Sequence, residues 1–286
     1  MVRRILMFVP CLLLMCASLC FGTGGQIVVT IEPQRYFVRA IGGDEQPVLV
    51  LIPPGYDPHS FEPRVSDLKR VASASMYMTI GLPEEKVWAE KLKGISPKIK
   101  IFQQYIPKEG SEEKGEDHGH KHGHKHTHSH DPHVWLSPKI GKIIAQRTFE
   151  ALMEINPTKK EDYQKRLEMC LKTLENFSNE IRNKLSQCNR KAFLVYHPAY
   201  GLFAEEFGLT QLAVEREGKE PKPKDLEHIL KEVRALGIKE LIIQPGFPSG
   251  PQTAIAEKLG LKMVTINPLA EDWMAELKKL VDLMCK

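Results

Sequence analysis

The sequence predicts an α/β protein with two Rossmann-like lobes, whose parallel sheets are joined by one long rigid helix. Short runs of β-branched residues alternate with amphipathic stretches, as is typical of βαβ units and a parallel sheet. This alternation occurs on both sides of residues 158–186, a long segment that contains neither Pro nor Gly. The chain has 286 residues, which leaves room for two lobes of about 100–150 residues, each with its own core.

The N-terminal segment 1–22 is predicted to be a signal peptide. Arg3 and Arg4 form a positive n-region, and residues 5–19 are apolar and uncharged. This stretch is short for a membrane-spanning helix. We therefore expect cleavage after Gly22 and a periplasmic or other extracytoplasmic location. A retained membrane anchor is the alternative.

A lipid anchor is less expected, because it needs a small residue just before a cysteine. Cys16 follows Met15 and Cys20 follows Leu19. Removal of the signal peptide leaves three cysteines, so at most one intramolecular disulfide can form, and the sequence leaves its pairing open. These cysteines are Cys170, Cys188 and Cys285.

The first lobe is predicted to span residues 23–156. Pro33 favours a helix start after the strand 26–31, because proline suits the first helical turn. Further strands are expected at 48–52, 76–80 and 100–102, and helices at 33–41, 65–74, 83–93 and 137–155.

The linking helix, within residues 157–188, is predicted from apolar residues that recur every three or four positions. They are Leu167, Leu171, Leu174, Phe177, Ile181 and Leu185. The second lobe then spans 189–286. Its strands are expected at 192–196, 209–212, 240–243 and 262–266, and its helices at 199–207, 224–236, 253–259 and 271–284.

The charge is nearly balanced, with 40 Lys and Arg against 36 Asp and Glu, which disfavours a nucleic-acid binder. Histidine is in local excess: eight of the eleven lie between His118 and His133. Such an excess in an otherwise ordinary composition points to metal.

Three histidines share one sequence context. His59 follows the 48–52 strand, His197 directly follows the 192–196 strand, and each of the three, His133 included, has a proline beside it or within two residues. Residues beyond the carboxyl ends of parallel strands face the binding crevice, and the neighbouring prolines stiffen the loops. A single histidine in such a place is more often structural, but three together predict a metal site that suits zinc. His228 lies within a helix and receives no role.

The loop 108–131 has no apolar periodicity and carries alternating histidines among Gly, Lys, Thr and Ser. We interpret it as a solvated loop of many weak metal sites rather than as a purification tag. Since metal binding needs neutral imidazole, the hypothesis is that it gathers metal at neutral pH and releases it in acid. Its histidines are His118, His120, His122, His124, His126, His128 and His130.

Three segments resemble ligand motifs of the cluster A-I solute-binding proteins, the zinc and manganese receptors of ABC importers. GYDPHSFEP (55–63) resembles the first motif, DPHVWLSP (131–138) the second, and HPAY (197–200) the third. The resemblance runs from about residue 26 to the end of the chain. A histidine-rich loop before the second ligand is a mark of the zinc-specific branch.

The resemblance implies two lobes joined by a rigid helix, with Zn²⁺ held between them by His59, His133 and His197. Manganese members carry an Asp where this chain has Asn267, and an amide oxygen is a poor zinc ligand. Water is the favoured fourth ligand, with Glu62 or Asp272 as alternatives. The implied partner is the membrane permease of a zinc ABC importer, and we expect a monomer that does not bind nucleic acid.

The leading functional prediction is a high-affinity zinc receptor rather than an enzyme. A zinc-dependent hydrolase is the alternative, because three histidines with an open fourth position can activate water. However, the sequence contains no HExxH motif. A storage or adhesion protein would use the loop alone and would not need three histidines on stiffened loops.

Overall fold

A computed structural model describes residues 25–106, 131–215, 221–247 and 249–286. The predicted signal peptide and the seven loop histidines lie outside these ranges. The described chain forms two sheets, each of four parallel strands, and the predicted two-lobe α/β fold with a long helix is confirmed. No helix among the described residues combines the length and the apolar character needed to cross a membrane.

The first sheet and its helices precede the long helix. Their bounds are β1 (Ile27–Val29), α1 (Glu32–Gly42), β2 (Val48–Val50), α2 (Val65–Val71), β3 (Met76–Thr79), α3 (Glu85–Ile95), β4 (Lys100–Gln103) and α4 (Pro138–Ile155). The long helix is α5 (Lys160–Ser186). The second sheet and its helices are β5 (Ala192–Val195), α6 (Gly201–Phe207), β6 (Thr210–Ala213), α7 (Pro223–Ala235), β7 (Glu240–Ile243), α8 (Ser249–Leu259), β8 (Lys262–Thr265) and α9 (Trp273–Met284).

Both sheets have the same topology. The strand orders are β2-β1-β3-β4 and β6-β5-β7-β8, with every described pairing parallel. Among the central strands, every residue of β1, β3 and β5 and the two middle residues of β7 are buried, as expected when helices cover both faces of a parallel sheet. In each sheet the order reverses beside the first strand, which places a crevice at the carboxyl ends of the strands.

The long helix α5 packs on α4, α1 and α9. Its predicted apolar stripe is confirmed: Leu167, Leu174 and Ile181 are buried, and Leu171 is partly buried against the same core. At 27 residues, it is about 40 Å long. It begins after a 3-10 turn at Pro157–Lys159, which the sequence pattern did not predict.

The C-terminal helix α9 returns to the first half of the molecule. The Trp273 ring stacks on Phe37 with centroids 6.0 Å apart, and its edge meets Tyr36 and Phe177. Trp273, Leu277 and Leu280 belong to the large core cluster that holds β1, β3 and α5. A smaller cluster around Leu194, Val214 and Leu241 forms the core of the second sheet.

The disulfide pairing that the sequence left open is Cys188–Cys285. Cys188 lies just beyond the end of α5, and Cys285 just beyond the end of α9. An ion pair between Lys184 of α5 and Asp282 of α9 also joins the two helices near the disulfide. Cys170 is buried and free. Burial raises the pKa of its thiol to about 11, so the thiol is inert at neutral pH.

Candidate metal centre

Three imidazoles converge on one point. The Nε2 atom of His133 lies 3.4 Å from Nε2 of His59 and 3.2 Å from Nε2 of His197. One ring nitrogen from each residue falls within 4.8 Å of the others. The structure therefore brings together all three histidines that the sequence singled out, from loops more than 60 residues apart in the chain.

His59 is carried by a stiff loop after β2. Its backbone N–H donates to Asp57 Oδ1 at 3.1 Å, which makes a local turn. Gly55 adopts a positive φ of 86°, a conformation that glycine accepts without strain. Gly246 of the second half packs against this loop so closely that a Cβ there would lie 3.1 Å from Gly55 O.

His133 is held at both its backbone and its ring by one carboxylate. Asp131 Oδ1 accepts from His133 N at 3.0 Å and pairs with Nδ1 at 2.8 Å. The chain then makes a 3-10 turn over Val134–Leu136. Within this turn, Trp135 Nε1 donates to Pro268 O at 2.8 Å, so the segment is fixed to the second half of the protein.

His197 follows β5, and its partner follows the adjacent strand. Its Nδ1 lies 3.1 Å from Glu215 Oε2. Because β5 and β6 are parallel neighbours, residues beyond their carboxyl ends meet at the same edge. The His197 ring also lies against Phe247, with centroids 5.1 Å apart.

In each of the three histidines the other ring nitrogen, Nδ1, therefore faces a carboxylate. For His59 this is Glu84, whose Oε1 lies 3.9 Å from Nδ1. A carboxylate at Nδ1 selects the tautomer with the proton on Nδ1 and leaves the Nε2 lone pair for a metal. Sequence reasoning missed the roles of all three carboxylates; Asp131 stood within the motif DPHVWLSP but was given no role, although its position two residues before His133 could have marked it.

The charge state of His133 also suits a ligand. Its side chain is 8% exposed, and burial lowers the pKa of the imidazole, against the opposing effect of Asp131. The other two histidines lower this pKa further, since their protonated forms would repel an imidazolium. The neutral imidazole is the form that binds metal.

The spacing of His133 from each of the other two histidines matches tetrahedral zinc. With Zn–N distances of about 2.05 Å, two ligands of a tetrahedron are about 3.3 Å apart. The Nε2 atom of His133 lies 3.2 Å from that of His197 and 3.4 Å from that of His59. The donor set, three imidazole nitrogens with flanking carboxylates, is one that zinc favours.

No fourth protein ligand joins the group among the Asp, Glu, His and Cys residues of the described ranges. Asp272 Oδ1 accepts from Ala275 N and caps α9. Asn267 Oδ1 accepts from Leu269 N, and Glu62 is exposed. His228 lies on α7, 3.8 Å from Glu232, and is not part of the group.

A family of metal receptors matches the chain over almost its entire described length. The family described as ZnuA, zinc-uptake complex component A periplasmic, matches residues 27–285. The chain belongs to this family. Its resemblance to the zinc-specific branch of the cluster A-I solute-binding proteins is thereby confirmed.

Two relatives are each 27% identical to this chain. The zinc-binding protein AdcA of Streptococcus pyogenes serotype M3 is 27% identical over 261 residues, which cover 85% of this chain and 50% of AdcA. This chain thus spans about half the length of AdcA. A putative metal-binding protein of Chlamydia trachomatis is 27% identical over 252 residues, covering 88% of this chain and 87% of that protein.

Solved structures agree with the fold. The crystal structure of a ZnuA superposes with a TM-score of 0.78 at 31% identity, covering 90% of this chain and 96% of the other. A ZnuA deletion mutant lacking its residues 138–173, with zinc bound, gives a TM-score of 0.77 at 30% identity, with 90% and 95% covered.

Proposed function

We propose that this protein is an extracytoplasmic receptor that captures Zn²⁺ with high affinity between its two lobes. The observation that carries the proposal is the convergence of His59, His133 and His197, with Nε2 of His133 at tetrahedral spacing from Nε2 of the other two. Two of these histidines precede α5 and one follows it, so a bound ion would bridge the two halves. Water would complete the coordination, because no described carboxylate reaches the group.

The proposed function includes delivery of the bound zinc to a membrane transporter. A monomer would pass the ion to the permease of an ABC importer, the partner implied by membership of a zinc-uptake family. Export would depend on the predicted signal peptide at 1–22. The seven histidines between 118 and 130 would act as a secondary, weak metal loop that precedes the second ligand in the sequence.

A zinc hydrolase fits this site less well. The carboxylates beside the three histidines, Glu84, Asp131 and Glu215, approach Nδ1 atoms on the side opposite the metal position. A hydrolase needs a base within reach of the zinc-bound water. Ester hydrolysis that scales with bound zinc would favour the hydrolase over the receptor.

Competition with a chelator of known affinity tests the receptor. We expect one tight zinc site in the full chain, and its loss in His59→Ala, His133→Ala and His197→Ala. Deletion of residues 112–130 should keep the tight site while lowering the stoichiometry in excess zinc. Tight one-site binding that persists in the triple variant would contradict the assignment, and unchanged stoichiometry in the deletion would contradict the role of the loop.

A further inference from the structure

The three carboxylate–imidazole pairs are not equivalent. Asp131 and Glu215 lie 2.8 and 3.1 Å from the Nδ1 atoms of their histidines, which is hydrogen-bond distance. Glu84 Oε1 lies 3.9 Å from His59 Nδ1, which is too far for a hydrogen bond. Of the three candidate ligands, His59 therefore lacks a hydrogen bond from its Nδ1 atom to the nearby carboxylate.

The His59 ring is also the least enclosed of the three. Its side chain is 29% exposed, against 8% for His133 and 10% for His197. His133 packs against Trp135, and His197 against Phe247. The ring contacts described for His59 are with the other two histidines.

Glu84 has an unused acceptor. Its Oε2 atom is buried and makes no hydrogen bond within the described part of the chain. A buried carboxylate oxygen without a partner is costly, by about 1–3 kcal/mol or more. A rotation of the Glu84 side chain that brings Oε2, rather than Oε1, within hydrogen-bond distance of His59 Nδ1 would give this oxygen a partner.

The backbone that carries Glu84 is anchored, so this rotation is confined to the side chain. The neighbouring Glu85 accepts hydrogen bonds from the backbone N–H groups of Ile80, Gly81 and Leu82. These bonds fix the loop that leads from β3 into α3. Glu84 is the residue preceding α3 and therefore has a fixed position from which to reach His59.

Metal binding at Nε2 makes Nδ1–H of the same ring a hydrogen-bond donor. When an imidazole gives its Nε2 lone pair to a metal, its remaining proton lies on Nδ1 and needs an acceptor. In the structure, Glu84 is the carboxylate that faces this atom of His59. Its hydrogen bond would orient the ring and make it a stronger ligand.

We propose that Glu84 is a positioning residue that completes its hydrogen bond to His59 Nδ1 when zinc is bound at Nε2, and that this bond limits the rate of zinc release. His133 and His197 then form the preset part of the site. His59 is the last ligand to engage and the first to leave. This inference rests on the proposed zinc-receptor function.

Stopped-flow release of zinc into excess chelator tests the proposal, with one equivalent of zinc loaded on the full chain. We expect Glu84→Gln to release zinc about tenfold faster than the unchanged protein, since loss of such a partner typically costs 10–100-fold in affinity. Glu90→Gln is the matched control, because Glu90 lies exposed on α3, the helix that follows Glu84, and should leave the rate unchanged.

A second measurement separates positioning from a general structural role. In the zinc-loaded, ¹⁵N-histidine-labelled protein, the Nδ1–H signal of His59 should exchange faster with water in Glu84→Gln, while those of His133 and His197 stay as they were. Equal release rates in Glu84→Gln and Glu90→Gln, or equal disturbance of all three signals, would overturn the inference and leave the receptor function intact. Absence of tight binding in the unchanged protein would instead overturn the receptor function and the inference with it.

Discussion

His133 Nε2 lies 3.2 Å from His197 Nε2, although the first residue precedes the long helix α5 and the second follows it. Each ring is held in this place by its own carboxylate, Asp131 or Glu215. Two neutral imidazoles pointing lone pairs at one another do not attract. Their arrangement is stabilised by the surrounding loops and becomes favourable when a cation lies between them.

Zinc should therefore stabilise the fold. A ligand that binds only the folded state adds RT ln(1 + [L]/Kd), about 4 kcal/mol when free zinc exceeds Kd a thousandfold. We expect thermal unfolding to move to higher temperature with zinc and this shift to be largely lost in His197→Ala. His228→Ala is the control, because His228 lies exposed on α7; a reduced shift in that variant would argue against a site confined to the three histidines.

Asp131 should be important for affinity although it is not a proposed ligand. It pairs with His133 through both the backbone N–H and Nδ1, so Asp131→Asn weakens the tautomer preference and the basicity of the ring. We expect a 10–100-fold loss of zinc affinity by competition titration. Asp44→Asn, at an exposed position, should bind zinc as the unchanged protein does, and equal affinities for the two variants would refute this role.

Glu85 should make stability depend on pH. Burial raises the pKa of its carboxyl from 4.5 to about 7, against the lowering effect of hydrogen bonds from Thr30, Ile80, Gly81 and Leu82. Between these values the folded protein holds a proton that the unfolded chain has lost. The contribution of Glu85 to the free energy of unfolding, roughly 3 kcal/mol, is therefore fully present below about pH 4.5 and is lost as the pH rises through about 7.

Glu85→Gln provides the measurement, because an amide imitates the protonated carboxyl: its oxygen can accept from the backbone and its NH₂ can donate to Thr30. We expect the free energy of unfolding of the zinc-free protein, relative to this variant, to fall between pH 5 and 8 in urea titrations. All other ionisable groups are the same in both proteins, so their contributions cancel in the difference. A difference that is flat, or that rises with pH, would show that Glu85 is ionised throughout.

The disulfide should account for a large part of the stability. Cys188 and Cys285 are separated by 97 residues, and closing a loop of that length removes about 4–5 kcal/mol of chain entropy from the unfolded state in the simplest model. We expect Cys188→Ala/Cys285→Ala to lose 2–5 kcal/mol of unfolding free energy. The mature protein should react with one equivalent of thiol reagent when denatured without reductant, and three equivalents would exclude the bond.

The sequence predicted the fold and the three converging histidines because both follow from local patterns. Strand and helix periodicities are local, and parallel strands bring their carboxyl ends together. That argument placed His59 and His197 each at the crevice edge of its own sheet, and the family resemblance implied that these two edges face one another. His133 was found by the proline beside it, Pro132, and by the resemblance to the second ligand motif.

The carboxylates were harder to predict, because nothing in the local pattern marks them. Glu215 lies 18 residues from His197 and meets it only because β5 and β6 are neighbours. Glu84 faces His59 from the start of a helix in another βα unit. The same limit applies to the disulfide, since the return of α9 to α5 depends on long-range packing rather than on any local pattern.

The position of Trp273 also bears on how the chain is made. Its ring fills the core between α1 and α5, yet it lies close to the end of the sequence. A ribosome adds residues in order, so the first lobe lacks a central piece of its interior until all four strands of the second sheet have been made. The interior of the first lobe is thus completed by a helix that follows the second sheet, and a chain truncated after α5 would leave an apolar surface open where this tryptophan belongs.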